Sequence, residues 1–119
     1  MPNYFTDVEV YLINYILNAA YWNGIRKIRF SYQTLLNCTN VYCAVLNEEL
    51  DEPVDEFDYM KSVIDNIERS KILQVTPIEN GYWFTLTELS DSIYLPGKPT
   101  REDVIARKIT KEREAGHVQ

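Results

Sequence analysis

The sequence predicts an α+β domain that is mostly helical, with one small sheet beside several helices. Apolar residues recur at helical spacing in several long segments. Residues 25–30 alternate between apolar and polar side chains, as a short strand does. Residues 72–87 hold an Asn-Gly pair between two strand-like runs, which is a strong signal for a β-hairpin. These observations together predict helices that pack on a sheet containing the hairpin.

The first predicted helix spans residues 6–23 and is unusually apolar. Thr6 and Glu9 have the spacing of a capping box, and Gly24 is a natural C-terminal stop. Two apolar stripes cover most of the cylinder: Val8, Leu12, Tyr15, Ile16 and Ala19, then Val10, Ile13, Leu17 and Ala20. Such a helix is either buried inside its own chain or shared with a second subunit.

A strand and two short helices are predicted next. The strand, residues 25–30, directs Ile28 and Phe30 toward the core. A helix over residues 31–38 begins at a serine cap. A further helix over residues 40–50 is interpreted as an inserted or extended element, because no strand follows it.

An acidic run joins these helices to the next one. Between positions 48 and 58 the chain has seven carboxylates and no lysine or arginine: Glu48, Glu49, Asp51, Glu52, Asp55, Glu56 and Asp58. Pro53 interrupts the run and predicts a loop there. The helix predicted over residues 56–71 starts acidic and ends basic, which suits the helix dipole. Its apolar positions are predicted core residues: Phe57, Met60, Val63, Ile64 and Ile67.

The hairpin over residues 72–87 is predicted to turn at Glu79-Asn80-Gly81 and to place Trp83 opposite to Tyr82 and Phe84. Residues 96–99, rich in proline and glycine, then mark a linker. We therefore divide the chain into a domain over residues 1–95 and a linker with a basic C-terminal helix over residues 96–119. This last helix has a thin apolar stripe, so we expect it to dock on the first helix or on a second subunit. The N-terminal and C-terminal helices are accordingly candidates for a homodimer contact.

The composition indicates a globular protein of one domain. The chain has 119 residues, of which 45% are hydrophobic and 25% charged. The N-terminus lacks the basic and apolar regions of a secretory signal, and no apolar run is long enough to span a bilayer. Cys38 and Cys43 lie within apolar segments, where we expect reduced, buried thiols. We therefore expect a cytoplasmic protein that makes no membrane contact.

The net charge of −6 is unevenly distributed along the chain. Residues 1–97 contain 6 lysines and arginines against 14 acidic residues, whereas residues 98–119 contain 6 against 4. An acidic body of this kind repels nucleic acid unless a local basic patch outweighs the field.

The sequence offers little for catalysis, a metal or a cofactor. His117 is the only histidine and lies near the C-terminus, so no histidine acid–base pair can form in the body of the domain. The two cysteines lack further ligands for zinc, and the acidic run lacks the spacing of a calcium loop. We expect a non-enzymatic protein that holds no cofactor and no metal.

The order helix, strand, helix, helix, strand, turn, strand resembles the winged-helix superfamily. The segment IRFSYQTLLNCTN is similar to the strand and second helix of that fold, and FDYMKSVIDNIERSKILQVTPIENGYWFTLTE is similar to its recognition helix and wing. The resemblance covers residues 25–88 and implies extra helices at both ends. The chain departs from that pattern in the segment before the recognition-type helix, which is longer than usual and carries the acidic run, and we interpret this segment as an acidic insertion. The small, acidic, Asn- and Tyr-rich chain further resembles phage-encoded proteins.

The chain departs from a typical DNA-binding winged helix in its charge. The helix that would enter the major groove presents Asp58, Tyr59, Ser62, Asp65, Asn66 and Arg69. DNA-reading helices usually present Arg, Lys, Asn or Gln there, and carboxylates facing phosphates weaken binding. This departure favours a first hypothesis, in which the domain binds another protein and acts as an inhibitor or modulator of a nucleic-acid-processing machine. Its candidate contacts are the seven carboxylates named above, with Tyr59 and Trp83.

The second hypothesis is a dimeric DNA-binding regulator of transcription or replication. The winged-helix resemblance implies this function through the helix at 56–71 and the wing. Candidate DNA contacts are Arg26, Lys27, Arg29, Ser62, Asn66, Arg69 and Lys71. The basic C-terminal helix adds Arg101, Arg107, Lys108, Lys111 and Arg113. The triplet at positions 26, 27 and 29 has a second interpretation, which we favour, as a partner for the acidic run.

Overall fold

A computed structural model describes residues 5–116, and it has an α+β fold dominated by helices. The elements are α1 (Asp7–Asn23), β1 (Lys27–Ser31), α2 (Tyr32–Leu50), α3 (Glu56–Arg69), β2 (Leu73–Ile78), β3 (Gly81–Leu86), α4 (Glu88–Ser92) and α5 (Arg101–Gly116). The three strands form one antiparallel sheet in the order β1-β3-β2. The predicted fold class, α+β and mostly helical, is confirmed.

Helix α1 runs through the middle of the core. The Thr6 hydroxyl accepts a hydrogen bond from the Glu9 amide at its start, and Gly24 ends it in the left-handed conformation at φ 64°. The buried side chains of α1 join those of α3, β2 and β3 in one cluster. Of the two predicted environments for this apolar helix, the structure shows burial within its own chain. Two tyrosines, Tyr11 and Tyr15, remain exposed on it.

The sheet has an apolar inner face and a polar outer face. Ile28 and Phe30 on β1 point inward, as predicted, and pair with Phe84 and Tyr82 on β3. Trp83 lies on the opposite face from its two neighbours, as the alternation predicted. The helices therefore cover one side of the sheet, and the other side faces solvent.

The predicted helices 31–38 and 40–50 are one continuous helix, α2, so the break between them was wrong. Ser31 caps it, as expected, by accepting from the Thr34 amide at 3.2 Å. The helix passes through Thr39, whose side chain is fully buried and whose hydroxyl donates to the Leu35 carbonyl at 3.1 Å. This internal hydrogen bond satisfies a residue that otherwise favours helix ends.

Helix α3 and the hairpin follow the prediction with small differences. The helix ends at Arg69, two residues before its predicted end, and Lys71 takes a positive φ of 68° before β2. Predicted core positions Met60, Val63, Ile64 and Ile67 are buried. Phe57 was wrongly placed in the core, since it is 36% exposed and packs edge-on against Tyr32 instead.

The turn of the hairpin is shorter than predicted. Ile78 pairs with Gly81, so only Glu79 and Asn80 form the loop, with Asn80 at φ 62°. Gly81 already belongs to β3. A Cβ atom there would lie 2.2 Å from the carbonyl oxygen of Phe30 on β1, so glycine is required by the close approach of the two strands.

Two C-terminal helices complete the fold. Helix α4 was not predicted, and it begins with a capping box formed by Thr87 and Ser90. Helix α5 docks on α1: Lys108 donates to the Trp22 carbonyl at 3.0 Å, and Arg107 donates to the Asn18 side chain at 3.0 Å. Of the two predicted neighbours for this helix, the structure shows α1.

Candidate interaction surfaces

The seven carboxylates of the acidic run lie together where α2 turns into α3, and we call these residues the acidic edge. Glu48 and Glu49 are in the last turn of α2, and Asp51 and Glu52 are in the connecting loop. Asp55 caps α3 by accepting from the Asp58 amide at 2.9 Å. All seven residues are exposed.

The carboxylates of the acidic edge form no ion pair within the described part of the chain. Across residues 5–116 the single ion pair joins Arg26 to Asp91, at 2.8 Å, and neither residue belongs to the edge. The expectation that Arg26, Lys27 and Arg29 pair with the acidic run is therefore wrong. Those residues are on or beside β1, and the pairing of β1 with β3 directs Lys27 and Arg29 to the outer face of the sheet. The negative potential of the edge therefore acts on the solvent or on a partner.

Side chains of α2 hold the loop of the acidic edge in place. The Val54 amide donates to the Asn47 side chain at 2.6 Å, and the Cys43 thiol donates to the Val54 carbonyl at 3.6 Å. Burial raises the pKa of the Cys43 thiol, and the nearby carboxylates of Glu56 and Asp55 raise it further. The thiol therefore stays protonated and can donate this hydrogen bond.

Exposed apolar side chains lie beside the carboxylates, and the sequence analysis missed them. Val41 is 70% exposed, Val45 49% and Leu50 53%. Val45 is one helical turn before Glu48 and Glu49 on α2, so apolar and acidic groups share one face. The four-residue spacing of Val41 and Val45 was the available signal. Such a mixture of apolar and charged groups is typical of protein interfaces.

Tyr59 and Trp83 do not extend the acidic edge. Tyr59 is only partly exposed and packs against the core cluster, and burial raises its pKa. Trp83 lies on the outer face of the sheet, away from the helices that carry the edge. The structure therefore places Trp83 on a different surface and leaves Tyr59 half-buried next to Asp58.

The candidate DNA contacts are dispersed. Arg26 is held by Asp91 and by the Thr87 carbonyl, while Lys27 and Arg29 lie on one edge strand of the sheet. Lys71 and Arg69 immediately precede β2, the opposite edge strand of the sheet, whereas Ser62 and Asn66 lie farther back along α3. The Arg69 guanidinium is itself hydrogen-bonded to Asn66. The exposed side chains of α3 also include four carboxylates, Glu56, Asp58, Asp65 and Glu68.

Asp91 joins three parts of the chain that lie far apart in sequence. Its carboxylate accepts from the Tyr21 hydroxyl and from Arg26, both at 2.8 Å. Burial raises the pKa of Asp91, but the hydrogen bonds from Tyr21 and Arg26 lower it more, so the pKa lies below its ordinary value. In the same contact, burial and the hydrogen bond to Asp91 raise the pKa of Tyr21 to about 12. This network ties α4 to α1 and to the start of β1.

We expect the Asp91 network to stabilise the fold in a pH-dependent way. A carboxyl whose pKa is lower in the folded chain stabilises the fold above its ordinary pKa of 3.8, and this contribution disappears as the pH falls through the folded value. Because the pair with Arg26 is partly solvated, we expect Asp91→Asn to cost at most about 1 kcal/mol at pH 7. The cost then shrinks at pH values below 3.8.

Urea unfolding of both proteins at pH 7 and pH 3 measures this difference. Asp65→Asn is the control, since Asp65 is exposed on α3 and accepts no side-chain hydrogen bond within residues 5–116. An Asp91→Asn cost that is equal at both pH values would contradict the assigned network.

The described residues contain no group of three His, Cys, Asp or Glu side chains placed to hold a metal ion. Cys38 and Cys43 are both buried and free, as predicted. His117, the one predicted surface histidine, lies outside the described residues. None of the described helices combines the length and apolarity that crossing a bilayer requires.

Comparisons with protein-family models, with curated proteins and with solved structures find no match to this chain.

Proposed function

We propose that this chain is a non-enzymatic, cytoplasmic winged-helix protein that binds a basic protein surface through its acidic edge. The uncompensated charge of that edge carries the proposal. The scaffold assignment is supported by the element order from α1 to β3 and by the strand order β1-β3-β2. Since a fold alone says little about function, the argument depends on the surface.

Charge determines the class of partner. Seven exposed carboxylates that form no ion pair within residues 5–116 create a negative potential that attracts basic surfaces and speeds their association. Proteins that process nucleic acids carry such basic surfaces to hold phosphates. A domain with this edge would compete for that surface and so inhibit or modulate the machine.

The apolar side chains beside the edge provide the second component of an interface. Three apolar side chains are well exposed: Val41, Val45 and Leu50. Their burial against a partner would be favourable, because apolar surface would leave water. Charges at the rim mainly increase the association rate, whereas apolar contacts at the centre contribute affinity. We therefore place the centre of the contact on the exposed face of α2 and its acidic rim at residues 48–58.

The acidic edge is tested by charge neutralisation with a matched control. The variant Glu48→Gln, Glu49→Gln, Asp51→Asn, Glu52→Gln removes four charges without touching the cap of α3. The control Asp65→Asn, Glu79→Gln, Glu112→Gln, Glu114→Gln removes four exposed charges elsewhere. Each immobilised protein captures partners from a nuclease-treated lysate, and the affinity of the captured protein is then measured after purification. We expect the edge variant to weaken binding by about tenfold or more, chiefly through slower association, and the control to change it little.

The competing DNA-binding function is distinguished by a second measurement. Random duplex DNA is titrated with the wild type across a salt series, with the oligomeric state followed by light scattering. Duplex binding that weakens steeply with salt and is abolished by Arg69→Glu and Lys71→Glu would replace our proposal with the dimeric regulator. Equal capture by the edge variant and the wild type would also refute the acidic edge as the binding surface.

A further inference from the structure

The outer face of the sheet is a second surface whose chemistry differs from that of the acidic edge. Ser31 and Ile78 lie on this face at the turn end, beside Gly81. Away from the turn, the strand registers place six side chains on it: Lys27, Arg29, Gln74, Thr76, Trp83 and Thr85. Two of these are cations, three carry hydroxyl or amide groups, and one is an indole. The set contains no carboxylate, although the chain has 18 acidic residues against 12 basic ones.

The two cations lie over the indole of Trp83. The Lys27 ammonium is 4.9 Å from the ring centroid, and the Arg29 guanidinium carbon is 5.8 Å from it. Within residues 5–116 neither cation has a carboxylate partner. Their charges are therefore available to an incoming anion, in contrast to Arg26, which Asp91 holds.

From this arrangement we propose that the outer face of the sheet binds single-stranded nucleic acid: Lys27 and Arg29 turn from the indole to hold phosphates, and a base stacks on the Trp83 ring in their place. An aromatic ring beside cations on an open strand surface is the combination that recognises unpaired nucleotides. The π-face of a base is accessible in a single strand but not in a duplex, so the site selects the single strand. The threonines at positions 76 and 85 and Gln74 add hydrogen-bonding groups around the ring.

The position of this face separates it from the negative field of the acidic edge. The edge belongs to α2 and α3, in the helical layer on the inner side of the sheet. The seven carboxylates therefore belong to the helical layer, whereas the phosphates of a bound strand would lie on the opposite side of the sheet. A single domain could then hold a basic protein on one side and a nucleic-acid strand on the other.

The geometry limits the size of the site. Three strands span only about 10 Å, which accommodates one or two stacked nucleotides. Two phosphate contacts predict a slope of about −1.4 for the logarithm of the association constant against the logarithm of salt concentration. Binding should therefore weaken only about sevenfold between 50 and 200 mM salt.

The test measures fluorescence anisotropy of a labelled ten-nucleotide oligo(dT) titrated with the full chain at 20 to 200 mM salt. We expect Trp83→Ala to lower the association constant by at least about fivefold, whereas Trp83→Tyr, which keeps a ring for stacking, retains most of it. We expect the double variant Lys27→Ser, Arg29→Ser to remove the salt dependence together with most of the affinity. The control Lys111→Ser, Arg113→Ser removes two cations from α5 and is expected to leave binding within twofold.

Several outcomes would overturn this proposal. These are equal affinity for a duplex of the same length, an effect of the α5 control as large as that of the β1 variant, and the absence of binding at 20 mM salt. Equally tight binding of polyglutamate would indicate an acidic protein as the ligand and would also refute it. The fold of each variant is checked by its thermal unfolding, and a second readout uses quenching of Trp83 emission in a Trp22→Phe background. Since all these variants leave the acidic edge intact, the result is independent of the proposed protein partner.

Discussion

Replacing Phe84 with alanine is expected to lower the free energy of unfolding by about 3–5 kcal/mol. Phe84 is fully buried in the middle strand of the sheet, where its ring lies 6.2 Å from that of Phe30 and 6.1 Å from that of Tyr82. Its strand partners are Ile28 and Val75 on the two edge strands. The truncation would leave a cavity between the sheet and the helices, which rigid strands cannot close by relaxing.

Chemical unfolding in urea measures this loss, and the chain offers a matched control. Phe57→Ala removes the same atoms from a side chain that is 36% exposed and contacts Tyr32 at the surface. We expect that variant to cost about 1 kcal/mol, because less apolar area returns to water. Similar losses for the two variants would contradict the central position of Phe84 in the core.

The second large effect is expected for Gly81→Ala, at about 2–3 kcal/mol. The added Cβ would lie 2.2 Å from the Phe30 carbonyl oxygen. The backbone of β3 fixes the position of the Cβ and the backbone of β1 fixes that of the oxygen, so no side-chain rotation can relieve the overlap. The pairing of β1 with β3 must therefore open at its end. Since the Tyr32 amide donates to the Asn80 carbonyl at 2.8 Å next to this point, the start of α2 would shift as well.

Gly24→Ala is the control that distinguishes the cost of a steric overlap from the conformational cost of replacing a glycine. Gly24 has φ 64° but no atom within 4 Å of its added Cβ, so its substitution costs only the left-handed conformation, about 1 kcal/mol. Urea unfolding of both variants gives the comparison, and hydrogen exchange at the Ser31 and Gly81 amides locates the opening. A Gly81→Ala cost no greater than that of Gly24→Ala would disprove the steric explanation.

The predictable parts of the fold are those that a short stretch of sequence specifies by itself. Thr6 and Gly24 mark both ends of α1 through cap chemistry, and the alternation of β1 and β3 gives the inner and outer faces directly. The continuity of α2 was missed because it depends on a side-chain hydrogen bond from a buried threonine. Helix α4 was missed because five residues are too few to show helical periodicity.

The surfaces were harder to predict because they join residues that are distant in the chain. The acidic edge was visible as a run of carboxylates. That it forms no ion pair within residues 5–116 depends on where Arg26 lies, and that residue pairs with Asp91 65 positions away. The cluster of Lys27, Arg29 and Trp83 requires the register of β1 against β3, which no local pattern specifies. The partial burial of Tyr59 was likewise not predictable, because exposure is determined by tertiary packing.

The hydrogen bonds that hold the loop after α2 also bear on how the protein meets a partner. Asn47 and Cys43 fix Val54 from within the helix, and the Asp55 side chain fixes the first turn of α3. The loop conformation is thus established during folding and not during association. For the protein partner that we propose, little conformational entropy would then remain to be lost on docking, and the association rate would be governed by diffusion and ionic strength.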